Sequence, residues 1–411
     1  MRAVQWDTIE YLYPTGDGYS CGRCRDVPAA QPECYAGPMA VHHHGEIFAD
    51  VLGRIGREEL DDDRLKDLFV EAGDRIADVE FPGLLERIHG SVAFERAERL
   101  GFQARLCARW ERPLELMEGE LGFLRDCASW HSETASRISG GVMDDRGRIL
   151  ERLNGRALRT FGEVVALLKA GYADGAHARC RTLDELAIVM DVLLHADDKT
   201  LQRYLDHAAV SKLKQTEATV EYADVLGVDS PTESELQSLR DRCDELVVRH
   251  GKSFKGSYGW AAHLLAGRSH GLAGLRELAG MQHNSPYYTL ACVNVHADPR
   301  GLSWSMGFPE DRHGVLTGSS DAGLSLPGQL ACISAGQCTV HLLVSPCLQD
   351  SPAEHFEAVV QATIVNRFTA LCCQAFHDAQ IEYEEGRREM LEEQANLDSE
   401  ASRADVSDEN A

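Results

Sequence analysis

A mostly α fold is predicted, and three observations predict it. Apolar residues step by three and four along most of the chain, the signature of helices that bury one stripe. The clearest stretch, 153–208, carries two such stripes. One runs through Leu158, Phe161, Val165, Leu168 and Tyr172, the other through Ala176, Cys180, Leu183, Ala187, Met190 and Leu194. Proline and capping residues stand where helices start. The expected architecture is a helical bundle over 142–380 behind an N-terminal helical domain at 39–140. A small zinc-binding element before them and a short irregular or β excursion near 302–350 complete it.

The 411 residues leave ample length for a core, and 44% hydrophobic with 26% charged residues is ordinary for a globular chain. The formal net charge of −25 argues against a broad nucleic-acid-binding face, though a local basic pocket remains compatible with it. The N-terminus lacks the apolar core of a signal peptide, and no run approaches the length of a spanning helix. Thirteen scattered cysteines read as free thiols in a reducing cytoplasm.

In chain order, 1–38 is irregular and contains Cys21, Cys24 and Cys34. A Cys-x-x-Cys turn brings two thiolates to one edge of a tetrahedron. Cys34 would be the third zinc ligand and one of His42, His43 or His44 the fourth, His42 being the nearest; unligated surface thiols are the alternative. From 39 to 140 the spacing is helical, with Pro82 and Pro113 each expected to open a helix. The acidic run 58–63 reads as a solvated connection, and Ser139-Gly140-Gly141 as a domain boundary.

Asp174-Gly175 is expected to turn the chain between the two central helices. A single long helix is expected from Lys199 to about Gly227, followed by a capping box at 230–233 and a helix to His250-Gly251. GKSFKGSYGW is a basic, aromatic loop. Two short helices follow within 259–284, and His296 falls at a helix C-terminus before Asp298-Pro299. β-prone pieces around CTVHLLVSP are expected to form a short hairpin. A last helix starts at a capping box at 351–354. Past Ile381 eleven acids face three bases, and a largely disordered tail is expected over 381–411.

Arg181 and Glu185 lie one helical turn apart, and Arg203 and His207 repeat that spacing. Such a pair is either an ion pair at a helix seam or part of a polar cluster in which Arg181 holds a phosphate or carboxylate. The run Arg181-Thr182-Leu183-Asp184-Glu185, then Arg203-Tyr204, then Cys292-Val293-Asn294-Val295-His296 resembles a bacterial all-helical family of unknown function, over about 150–305. The resemblance implies a helical fold and a bacterial source, and no activity.

No H-E-x-x-H, G-x-S-x-G, dinucleotide or Walker pattern occurs, so metallohydrolase, serine hydrolase and P-loop classes are not expected. Arg276 and His283, six residues apart in between, are similar to the Arg/His motif of HEPN ribonucleases. That resemblance implies metal-independent RNA cleavage, often across a dimer. One His of His283 and His296 would move the proton at the ribose 2′-OH and Arg276 would stabilise the phosphorane. Glu277, beside the Arg, opposes a phosphate. The competing reading, and the first choice, is a non-catalytic binding or sensor module with a protein partner or RNA. A defence role follows only by analogy, and homodimerisation is compatible with such bundles.

Overall fold

The computed structural model describes residues 45–55, 61–141, 143–302, 304–308 and 315–408. The expected zinc ligands Cys21, Cys24, Cys34 and His42 lie outside the described residues. Every regular element among those described is helical, and no strand occurs. The chain divides into two compact units, 1–101 and 102–411.

In the first unit, α1 (Gly45–Ile55) packs on the start of α2 (Asp62–Arg109) through Val51, Leu68 and Ala72, with Ile47 against them. Arg75–Asp50 and Arg54–Glu71 flank that seam at 3.4 and 3.8 Å. Pro82 does not open a helix: α2 runs through it. The proline removes one backbone donor, and both Asp78 and Pro82 are exposed, so solvent reaches the carbonyl left behind.

The second unit is the bundle. Its long helices are α3 (Glu111–Ile138), α4 (Asp145–Lys169), α5 (Ala173–His195), α11 (Ser325–Leu343) and α12 (Pro352–Asp408). α11 touches α3, α4, α5 and α12 and is therefore the central rod. Its buried face is built from Ala331, Cys332, Ala335, Gly336, Cys338 and Thr339, small side chains that let four neighbours approach. The expected β hairpin near 338–346 is thus corrected to helix as far as Leu343. A rod that is apolar on nearly every side has no stripe to read, and β-branched Thr339 and Val340 mislead local propensity.

The boundary expected at 139–141 is a turn inside the bundle. α3 belongs to the second unit because Leu114, Met117, Leu121, Leu124 and Cys127 are buried against α4, α11 and α12. The turn between α4 and α5 lies at Ala170–Tyr172, before the expected Asp174-Gly175. Gly171 takes φ of +81°, and a Cβ there would meet Phe102 and the Ser320 carbonyl at 2.8 Å. Asp174 falls in the first turn of α5, where a carboxylate complements the helix dipole.

The expected long helix after Lys199 is two, α6 (Asp198–Asp206) and α7 (Ala208–Leu226), meeting at His207. α8 (Glu233–His250) packs back on α7 and is opened by a capping box of Thr232 and Glu235. α9 (Leu272–Leu278) and α10 (Ser285–Val293) lie on α5. α12 continues as helix to Asp408, where the sequence predicts a disordered tail from 381; Gln380–Glu384 and other side-chain pairs one turn apart line its exposed face.

Candidate functional site

α5 presents a polar lane. Asp174, His177, Arg181, Asp184 and Glu185 step by three, four, three and one, so they share one face of the helix. Opposite them stand Arg276 of α9, Tyr288 and Cys292 of α10, Asn284 and Asn294 at the two ends of α10, and Tyr258 from the loop after α8.

Each carboxylate in the lane has its own donors. Asp184 accepts from Arg276 at 2.5 Å and from Asn284 at 3.1 Å. Glu185 accepts from the Tyr258 hydroxyl at 2.7 Å. Asp174 accepts from the Ser305 hydroxyl and, at 2.9 Å, from the Met306 amide. The Tyr288 ring lies beneath two guanidinium groups, with Arg276 4.4 Å and Arg181 5.0 Å from its centroid. Arg181 makes no salt bridge among the described residues, and its buried Nε has no hydrogen-bond partner. A side-chain hydrogen bond with Tyr288 holds its pKa up against burial, with smaller help from the nearby carboxylate of Glu185.

His177 is fully buried, with Nδ1 3.5 Å from the Asn294 amide and Nε2 unpartnered. Burial lowers its pKa to about 4, against a weaker opposing pull from Asp174, so it is neutral at pH 7. Tyr258 is half-buried, and burial together with Glu185 pushes its hydroxyl far up, which keeps it a donor.

Two residues expected in the same cluster do another job. Arg203 is buried and donates to three backbone carbonyls: Trp260 at 2.8 Å, Gly259 at 3.1 Å and His250 at 3.1 Å. Desolvation lowers its pKa, since no carboxylate meets it. His207 bonds the Gly256 carbonyl at 3.0 Å and sets its ring edge-on to Phe254. Both therefore brace the loop that delivers Tyr258. Tyr204, next to Arg203, packs edge-on to Trp260 at 5.1 Å.

The other expected residues do not assemble with them. Arg276 is buried and committed to Asp184, while His283 is exposed on the short turn after α9. His296 is exposed just past the end of α10, its amide on the Cys292 carbonyl. No described contact joins Arg276 to either histidine. Sequence reasoning missed Asp174, Asp184, Tyr258 and Tyr288. The 3–4–3 spacing of polar residues on α5 was the available signal for the first two; nothing local marks the tyrosines.

The lane, its braces and its partners all fall between 174 and 306. Residues 148–313 match the model of a family of unknown function, DUF5677. The match covers the central part of the bundle and the Arg181, Arg203 and Cys292–His296 motifs that carried the resemblance in the sequence. No curated protein matches the chain significantly, and neither does any solved structure.

Proposed function

We propose that the family segment is a non-catalytic binding module whose recognition group is Arg181, taking a small ligand that carries a phosphate or carboxylate. One observation carries the reading. Every carboxylate of the lane is occupied by its own donors, whereas the half-buried Arg181 fork makes no salt bridge among the described residues and is held by Tyr288, through its ring and a side-chain hydrogen bond. A guanidinium stacked and held in one plane is preorganised for bidentate capture of a planar or tetrahedral anion. The charge of −25 favours a small ligand over a long nucleic acid, because a chain so acidic repels a polyanion beyond the reach of one arginine.

The ribonuclease alternative is less favoured by the same geometry. Asp184 neutralises Arg276, and a carboxylate beside the cation opposes a phosphorane.

Calorimetric titration of the full chain with inorganic phosphate, a set of nucleoside phosphates and dicarboxylates tests the proposal, beside incubation with a structured RNA. Saturable binding abolished by Arg181→Ala, unchanged by His283→Ala and unaccompanied by RNA breakdown is expected. RNA cleavage that disappears with Arg276→Ala, His283→Ala or His296→Ala would establish the ribonuclease instead. Binding that survives Arg181→Ala would remove the proposed recognition group.

A further inference from the structure

A second cluster lies across the bundle from α5, on helices outside the family segment. Glu120 of α3, Cys332 of α11 and Cys372 of α12 meet in the core. All three are fully buried. One ligand atom from each, a carboxylate oxygen and two Sγ atoms, lie within 4.8 Å of one another.

The carboxyl is the anomaly. An ionisable side chain with no exposure is kept in a core by pairing, by ligation or by holding its proton, and burial raises the pKa of this one. Glu120 has no cationic partner among the described residues. Its Oε1 accepts from the Thr369 hydroxyl, while its Oε2 is buried with no hydrogen-bond partner. The thiols beside it are weak donors and soft metal ligands.

The helix opposite makes room for this arrangement. Gly336 lies on α11 one turn beyond Cys332, and a Cβ there would stand 2.6 Å from the Thr369 hydroxyl and 3.8 Å from Glu120 Oε1. A glycine inside a helix costs roughly 1 kcal/mol relative to alanine. Here it leaves space for the Thr369 hydroxyl that holds Glu120, with Val365 beside it, 3.4 Å from that Cβ.

We infer that Glu120, Cys332 and Cys372 form a buried site for a thiophilic divalent cation of the zinc class. Cysteine thiolates and carboxylate oxygens are each zinc ligands, with Zn–S of about 2.3 Å and Zn–O of about 2.1 Å. Tetrahedral bonds of those lengths hold ligand atoms roughly 3.5–3.8 Å apart, so closing on an ion takes side-chain shifts of about 1 Å or less. Glu120 supplies one carboxylate oxygen to the ion, and Thr369, which donates to Oε1, orients the carboxylate from outside, as such partners do. The ion fastens α3, α11 and α12 together, and its binding free energy adds to that of folding. The site is distinct from the N-terminal cysteines and from the Arg181 lane.

The test uses the full chain, purified without a metal-affinity step. Zinc is counted by mass spectrometry in the wild type, in the combined variant Cys21→Ser, Cys24→Ser, Cys34→Ser, and in Cys332→Ala with Cys372→Ala. The apo protein is then titrated with cobalt(II). Retention of a zinc equivalent in the N-terminal variant and its loss in the core variant are expected, with cobalt–thiolate charge-transfer absorption of a two-thiolate site in the N-terminal variant. Chelation should lower the Tm of that variant. Should the core variant fail to fold, the cobalt spectrum and chelation shift of the N-terminal variant decide alone. Zinc and cobalt bound only when Cys21, Cys24 and Cys34 are intact, or neither metal bound at all, would overturn the inference.

Discussion

The hydroxyl of Tyr258 reaches Glu185 at 2.7 Å from a backbone held in the left-handed region, with φ of 55°. No other non-glycine residue among those described takes a positive φ. A bulky residue there costs on the order of 1–2 kcal/mol. The conformation persists because Arg203 fixes the carbonyls of Gly259 and Trp260 immediately downstream. The loop thus spends backbone strain to place one hydroxyl, and that hydroxyl draws Glu185 away from Arg181, one turn back on the same helix.

Tyr258→Phe should accordingly do two things. Removing a hydrogen bond to a charged acceptor lowers stability by about 1.5 kcal/mol, read as a shift of the urea midpoint with unchanged slope. It also frees Glu185 to pair with Arg181, so the affinity for an anionic ligand should fall even though Tyr258 does not touch it. Unchanged stability would show that the hydroxyl bond is not formed in solution.

Arg203→Lys keeps the charge and removes the fork. An ammonium on a flexible stem cannot span the His250, Gly259 and Trp260 carbonyls together. A loss of about 2–4 kcal/mol is expected, since buried carbonyls are left without donors. Amide hydrogen exchange should speed up over 251–261 before it does in α4 or α5. Uniform acceleration across the bundle would instead mean that Arg203 serves the core at large.

How far this site could be read from the sequence depends on the length scale of each contact. The α5 stripe and the Arg181–Glu185 spacing are local, and helical periodicity exposes them directly. The partition of their partners is not local. Asp184 finds Arg276 and Glu185 finds Tyr258 from remote parts of the chain. A one-turn spacing predicts an Arg181–Glu185 pair because it contains no information about those competitors. The reading of Arg203 as a ligand group fails for a related reason: its partners are main-chain carbonyls, which carry no side-chain signature. The helix α11 escaped periodicity because its neighbours surround it.

Acid should destabilise the bundle through His177. Its pKa is lowered from 6.5 to about 4 by burial, so between those values the unfolded chain binds a proton that the native state refuses. The contribution is complete above pH 6.5 and falls as pH drops towards 4, by up to about 3 kcal/mol. His131 and His341, also lowered by burial, act in the same direction. Urea midpoints of wild type and His177→Gln between pH 7 and pH 4 separate the terms: the variant should lose less stability over that interval. Parallel curves would mean that His177 titrates normally.

Gly328 tests whether the approach of α11 to α12 sets the core. A Cβ at this position would drive into the Phe376 ring well inside van der Waals contact. The ring has nowhere to go. It is fully buried, it lies 6.4 Å from Trp110 centroid to centroid, and its backbone carbonyl accepts from Ser325 at 2.9 Å. Gly328→Ala therefore sets a gain in helix propensity of roughly 1 kcal/mol against overpacking of about 1–3 kcal/mol. A net loss is expected in thermal or urea unfolding. The decisive arm is the same change made in a Phe376→Leu background. There the clash is relieved and only the propensity gain remains, so Gly328→Ala should become neutral or stabilising, a coupling readable from the double-mutant cycle. Additive losses would place the constraint on Gly328 elsewhere than at Phe376.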